Sequence, residues 1–516
     1  MSDPGAMRFA RTILALALAA AGFAADAPAI RFENIAAPSS AAPAPVAGPS
    51  ITTSADGTAW LTWLEQENRT TALKFSTYLP DARRWSTAGT IAQGDNLVIN
   101  PADFPCLAAG RRGHATAAWY VHNPPGPGVA PATAHDHEGP GSHAMVSRTA
   151  DGGRTWSQPA PLTAESHATE FVSLAALADG RVLAAWLDGR AQKNGAGRQQ
   201  LFARVLGDAG RDLRVDASVC DCCQTALTAF PDGTALLAYR GRSDREIRDI
   251  RVTRWRGATW DEPRPLNNDE WQIAGCPVNG PQLASDGGRI AAAWFTAAGD
   301  DPRVVASFSP DAGKRFLMPL RLSEATPFGR VATALLHDGA FLVTFVDAAG
   351  ALMLCRVTPD FVATPPVQLA AAETGRIKGF PRMALLRDYD GGSTAAELIV
   401  TFTQENVAGL RTVRVTVPEG DMLVAEKNCD CSPTPDQLKG FPIRGTIIGP
   451  LRAGGTLRVA HFEVPGIFAE GTRDFKVTAD AVARAAQPGR QFLGRIEQRD
   501  GTWWLTEVRL IATAPR

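Results

Sequence analysis

A turn glycine, five residues, and an aromatic closing an apolar run recur along the chain. The copies are Gly57…Trp63, Gly113…Trp119, Gly180…Trp186, Gly233…Tyr239, Gly288…Trp294 and Gly339…Phe345. A seventh copy ends at Phe402 without the glycine. The aromatics stand at positions 63, 119, 186, 239, 294, 345 and 402, which are 51 to 67 residues apart. Self-similarity on this scale signals stacked units, in a propeller or a solenoid. The runs closed by the aromatics, such as Gly180–Trp186 and Asp338–Phe345, are short and continuously apolar, as buried strands are. A second apolar strand lies upstream (Phe171–Leu177, Pro381–Leu386) and a third downstream (Ala351–Val357). With a weaker fourth strand, each copy makes a four-stranded blade around a channel. A blade covers its faces only against its neighbours, so the ring must close to be stable. The expectation is an all-β, six- or seven-bladed β-propeller over residues 50–418. Seven copies suggest seven blades, and merged end units would leave six.

The 516 residues are too many for one ordinary core. Formal net charge is -1, from 52 basic and 53 acidic residues, which offers no electrostatic footprint for nucleic acid or an anionic membrane. Residues 1–27 read as a signal peptide: Arg8 and Arg11, the apolar run Ile13–Ala21, then small residues at Ala24–Ala27. The apolar run is too short to span a bilayer, and no other stretch is long enough. A periplasmic or secreted protein is expected, with no transmembrane segment in the mature chain. Residues 28–49 are rich in Ala and Pro and read as an extended leader.

Thr149-Ala-Asp151-Gly-Gly153-Arg-Thr155-Trp156 resembles the Asp-box of sialidases and related BNR-repeat propellers. Ser309-Pro-Asp311-Ala-Gly313-Lys-Arg-Phe316 is a looser copy, and Thr253…Gly257…Thr259-Trp260 a third that lacks the Asp. The motif's chemistry is structural: the carboxylate holds a turn and the glycine supplies backbone freedom. The resemblance implies a sialidase-like fold, and as an alternative function an exo-α-sialidase-type glycoside hydrolase. That family uses three arginines, a Tyr–Glu nucleophile and an Asp acid/base. The Arg-Ile-Pro signature that supplies the family's first arginine is missing, and only Tyr78, Tyr120, Tyr239 and Tyr389 are present. Arg190, Arg240, Arg242 and Arg248 follow inner strands and read as solvated turn arginines or as the lining of a face.

Eight cysteines are the sharpest chemical feature. Cys220-Asp-Cys222-Cys223 and Cys429-Asp-Cys431 are Cys-x-Cys units. Aligning the repeats puts Cys220 and Cys276 at equivalent positions on adjacent blades, near one channel mouth. Cys220, Cys222, Cys223 and Cys276 can converge there. One reading is disulfide bonding, natural in an exported chain, with a Cys220–Cys276 staple. The other is a soft-metal site for copper or zinc, since thiolates select such ions. Adjacent Cys222 and Cys223 do not pair with each other without strain. Cys106 and Cys355 sit in apolar strands as inert core residues. The insertion Val121–Ala144 holds His122, His135, His137 and His143; His135 and His137, flanked by carboxylates, are candidate metal ligands. The bland reading is a polar surface loop.

Residues 419–438 form a linker with the second Cys-x-Cys unit, and 439–516 a separate domain. Five strand patterns, with an Asp500-Gly501 hairpin turn, suggest a small OB-like β-barrel. The run His461-Phe-Glu463-Val-Pro465-Gly466 through Phe475 resembles the CusF-like periplasmic copper and silver efflux chaperones. The two methionine ligands of that family fall at Gly471 and Arg473, so only His461 remains and a docking module is expected. The functional expectation is an exported, non-hydrolytic propeller that binds an unknown protein or small-molecule partner, or a soft metal, through its Cys-rich mouth. A disulfide-stapled interaction scaffold is the remaining alternative.

Overall fold

A computed structural model of the chain describes residues 30–38, 45–123, 141–166, 168–192, 197–207, 211–359, 361–387, 395–418, 441–449, 452, 455–461, 471–477, 488 and 491–510. The chain divides into two compact units, Met1–Asp421 and Met422–Arg516.

The described residues of the first unit form seven antiparallel sheets. Their inner strands are Val46–Thr53, Cys106–Ala109, Thr169–Ala176, Ala226–Ala229, Gln282–Ser285, Gly329–Leu335 and Ile377–Arg387. Each neighbours the next, and the last neighbours the first, so the ring closes as a propeller does. The repeated aromatics all lie in second strands, and Trp63, Trp119, Trp186, Tyr239, Trp294, Phe345 and Phe402 are all buried. Second strands are sandwiched by sheets on either side, which explains why their runs are apolar at every position rather than alternating.

The seventh sheet takes its outer strand from the beginning of the chain. Arg31–Ile35 pairs antiparallel with Arg411–Pro418, with Arg31 opposite Thr416 and Ile35 opposite Thr412. This corrects the reading of 28–49 as a leader: strand Arg31–Ile35 belongs to the ring, and the first inner strand already starts at Val46. The signal was weak because an outer strand has one face exposed and needs no apolar alternation; Arg31–Asn34 are exposed.

The Asp-boxes close turns at the end of the ring opposite the inner-strand lead-ins. Thr149 Oγ1 donates to Asp151 Oδ1 (2.8 Å), Gly153 N–H to Thr149 Oγ1 (3.0 Å) and Thr155 N–H to Asp151 Oδ1 (3.0 Å). Hydrogen bonds from the Thr155 hydroxyl first, then from the Thr155 N–H and the Thr149 hydroxyl, hold the Asp151 carboxyl well below the usual range. Gly152 N–H reaches Gly113 O, in the turn after the second inner strand. Trp156 lies edge-on to Phe75 of the first sheet, 5.5 Å between ring centres, so the box locks two sheets together. In the looser copy Ser309 Oγ donates to Asp311 Oδ1 (2.9 Å), Gly313 N–H donates to Ser309 Oγ (2.7 Å), and Phe316 packs on the core between the fourth and fifth sheets.

The second unit is a five-stranded closed barrel of Phe441–Ile447, Thr456–His461, Gly471–Val477, Gln491–Arg499 and Thr502–Leu510. Its core is Ile443, Ile447, Leu457, Val459, Phe475, Phe492, Ile496 and Leu505 with their neighbours. Asp500 and Gly501 both have left-handed φ (47° and 75°), the signature of the two-residue hairpin that joins the last strands.

Candidate functional site

The segments leading into the inner strands are tied to one another at one end of the ring. Gln224 Nε2 donates to Ala102 O, Gly280 N–H to Gln224 Oε1, Asn279 Nδ2 to Phe328 O, and Arg330 Nη1 to Gly379 O. The cysteines sit in this rim. Cys220 precedes the fourth inner strand by six residues (226 − 220), and Cys276 precedes the fifth by six (282 − 276).

The structure brings all four clustered cysteines together. Cys222 is bridged to Cys276, and the sulfurs of Cys220, Cys222 and Cys276 all lie within 4.8 Å of one another. Cys223 Sγ is 2.6 Å from Cys220 Sγ. The expected Cys220–Cys276 staple is replaced by Cys222–Cys276. Cys220 is fully buried and turned toward Cys223 and Arg248, whereas half-buried Cys222 faces exposed Cys276. The bridge still joins the fourth and fifth sheets.

The sulfurs lie among cations. Arg248 Nη1 is 3.5 Å from Cys220 Sγ. Hydrogen bonding with Cys223, with lesser help from the Cys222 N–H, the charge of Arg240 and a hydrogen bond from Arg248, holds Cys220 below the usual thiol range. Cys223 is pushed well up, by burial first and then by its Cys220 neighbour. Asp221 and Glu246 partly balance the arginines: Arg242 Nη1 meets Asp221 Oδ2 at 2.9 Å and Arg248 Nη2 meets Glu246 Oε2 at 2.9 Å.

Arg190 and Arg240, at or just past the ends of second strands, are not solvated turns. Arg240 is 1 % exposed and donates to Asn279 O, Arg248 O and Phe295 O at 2.6–3.0 Å, with its guanidinium 4.9 Å from the Trp271 ring centre. Arg190 meets Asp188 at 2.7 Å, Asp212 at 2.6 Å and Glu165 at 3.0 Å, and stacks on Phe202. Two of the tyrosines are likewise structural: Tyr239 OH donates to Asp216 Oδ2 (2.6 Å), and Tyr120 OH accepts the Val172 N–H (2.7 Å).

A cavity of about 350 Å³ runs along the axis, lined by the inner strands of all seven sheets. Arg382 projects to Gln282 Oε1 across it (2.7 Å), and Asp103 accepts the Phe171 N–H at 3.0 Å. Cys106 lies on its wall, and burial pushes that thiol up to about 12. Cys355 is buried in the sixth sheet and pushed up by burial to about 12. Both are poor nucleophiles, since the thiolate is the reactive form.

His135, His137, Cys429, Cys431 and the signal and linker segments lie outside the described residues. His122 is exposed at the end of a second-sheet strand, and His143 Nδ1 lies 2.6 Å from Asn123 Oδ1. His461 is buried in the barrel, edge-on to Phe475. Among the described residues no helix is long and apolar enough to cross a membrane. Sequence reasoning missed Arg240 and Arg248 as buried neighbours of the sulfurs; their spacing from the strand end was the available signal, but nothing in it distinguishes inward from outward.

Residues 58–282 match the family described as BNR repeat-like domain, which supports a BNR and sialidase-like relationship. No curated protein matches the chain. Among solved structures it is similar to a lectin from Burkholderia pseudomallei, with 12% identity, 71% of this chain and 97% of that one covered, and a TM-score of 0.47. It is also similar to the intramolecular trans-sialidase from Ruminococcus gnavus, with 10% identity, 72% and 94% covered, and a TM-score of 0.41. An α-L-arabinofuranosidase from Fusarium graminearum has 12% identity, 73% and 94% covered, and a TM-score of 0.38.

Proposed function

We propose that the protein is an exported, non-hydrolytic propeller whose sulfur-lined mouth holds a soft metal ion, copper(I) or zinc(II). The observation that carries this reading is the convergence of Cys220, Cys222, Cys223 and Cys276 from two adjacent sheets. Thiolates are ligands that such ions prefer. A cluster of thiolates around one ion is anionic, and buried Arg240 and Arg248 beside it offset that charge. A sulfur in a disulfide is not a thiolate, so the bridged state and the metal-loaded state are alternatives. Loading requires prior reduction of Cys222–Cys276 by an external dithiol, with two electrons and two protons delivered to its sulfurs. The partnering of Arg190, Arg240, Arg242 and Arg248 by carboxylates and carbonyls supports the non-hydrolytic reading, since none of these guanidinium groups is left open to a substrate carboxylate.

The test is elemental analysis and thiol titration on the reduced full chain after anaerobic exposure to copper(I) or zinc. Near-stoichiometric metal, lost in Cys220→Ser and Cys276→Ser, is expected. Metal-free protein under these conditions would overturn the reading and leave a stapled scaffold.

A further inference from the structure

At the same end of the ring, between the sixth and seventh sheets, lies a second cavity of about 300 Å³. None of its lining residues lines the axial channel. Its side chains include Phe328, Arg330, Arg376, Lys378 and Glu405. Three cations thus face one carboxylate. Among the described residues none of the three forms an ion pair.

Arg330 is held in place at a conformational cost. It sits at the bulge that opens the sixth inner strand, with φ 55°. The left-handed residue at the bulge of the first inner strand is Gly48 (φ 56°), and in the seventh it is Gly379 (φ 60°). Glycine takes this conformation freely, whereas an arginine does so against steric strain. The position is locked by the Arg330 N–H donating to Asn279 Oδ1 (2.7 Å) and by Nη1 donating to Ile377 O (3.1 Å) and Gly379 O (3.2 Å). Nε and Nη2 have no protein acceptor among the described residues.

Arg376 is brought close to it. The two guanidinium groups lie 5.8 and 5.1 Å from the ring centre of the same Phe328, which is 41% exposed. Two like charges beside one aromatic ring repel each other. Burial first, and then the charge of Arg376, lowers the pKa of Arg330. A strained, partly buried arginine beside a second one, in a cavity whose single carboxylate, Glu405, leaves positive charge in excess, is the arrangement that an incoming anion relieves.

We propose that this pocket binds an oxyanion group, a carboxylate, sulfate or phosphate, carried by a small molecule whose flat or CH-rich face lies on Phe328. The guanidinium edges of Arg330 and Arg376 grip the oxygens, and Lys378 adds a point charge. The inference is independent of the metal reading and is measured on the metal-free protein.

The experiment is isothermal titration of the full chain at low ionic strength with sodium sulfate, sodium phosphate and sodium glucuronate, each alone. Saturable binding of at least one is expected, weakened about tenfold or more by Arg376→Ala, which removes one of the two forks. Arg330→Gly restores the residue that Gly48 and Gly379 exemplify, so it folds, and it should weaken binding equally. Exposed Arg111→Ala, outside the pocket, should bind as the unaltered chain does. Preference for glucuronate would identify an acidic sugar or related organic acid as the class of ligand, and preference for phosphate or sulfate a phosphorylated or sulfated one. Absence of saturable binding with all three, or binding unchanged in both Arg376→Ala and Arg330→Gly, would overturn the proposal.

Discussion

Glu170, at the start of the third inner strand, carries a carboxyl that burial raises to about 7, with the charge of Asp221 adding to the effect. Its folded value lies above its unfolded one, so the folded state binds the proton more tightly. The resulting stability is fully present below about pH 4.5 and is lost as pH rises through about 7. Glu170→Gln should therefore leave stability at pH 4 nearly unchanged and raise it at pH 8 by up to about 3 kcal/mol. Urea melts of both chains at the two pH values check this; an equal effect at both would refute the assignment. At this scale the sequence was legible where repeats could be aligned and opaque where direction mattered. The equivalence of Cys220 and Cys276 was readable because each stands a fixed distance before an inner strand. Which sulfur pairs with Cys276 was not, because the irregular Cys220–Cys223 segment has no period to say which side chains turn inward. Arg330 was equally hidden, since only its left-handed φ separates it from an ordinary surface arginine.

Strands, unlike side chains, declared themselves in the sequence wherever they were sandwiched. All seven second strands were visible from their apolar runs and closing aromatics. The outer strand Arg31–Ile35 was not, because a strand with one exposed face and a distant partner leaves no local mark. The rim of the ring also depends on a connection the strands do not make. Cys222 and Cys276 are 54 residues apart, and their bridge shortens the unfolded chain across a whole sheet. In the chain-entropy account a loop of that size is worth at most about 4 kcal/mol. Replacing both with serine should lower the urea midpoint of the first unit and raise its m-value, as the unbridged unfolded chain exposes more surface. An unchanged midpoint would mean that the two sheets are already fixed by Arg240 and its carbonyl partners.

The whole molecule is two separately cored units. Calorimetry of the full chain should resolve two transitions, the smaller carrying about 50 kcal/mol for the seventy residues of the barrel, Phe441–Leu510. A reductant should shift only the larger one, because the bridge lies in the first unit. A single transition moving as one would refute independent folding. The copper-chaperone resemblance of the barrel rested on a motif whose central stretch, 462–470, lies outside the described residues, so the five strands were legible and the ligand set was not. One further consequence follows from the seventh sheet, where residue 31 pairs with residue 416. A ribosome releases the second of these almost four hundred residues after the first. Through that interval the ring has an open seam, and strand Arg31–Ile35 waits unpaired, open to any other strand nearby. A protein fastened in this way is complete only when its own beginning has been kept free for its end, which makes the opening residues as much a part of the fold as the last.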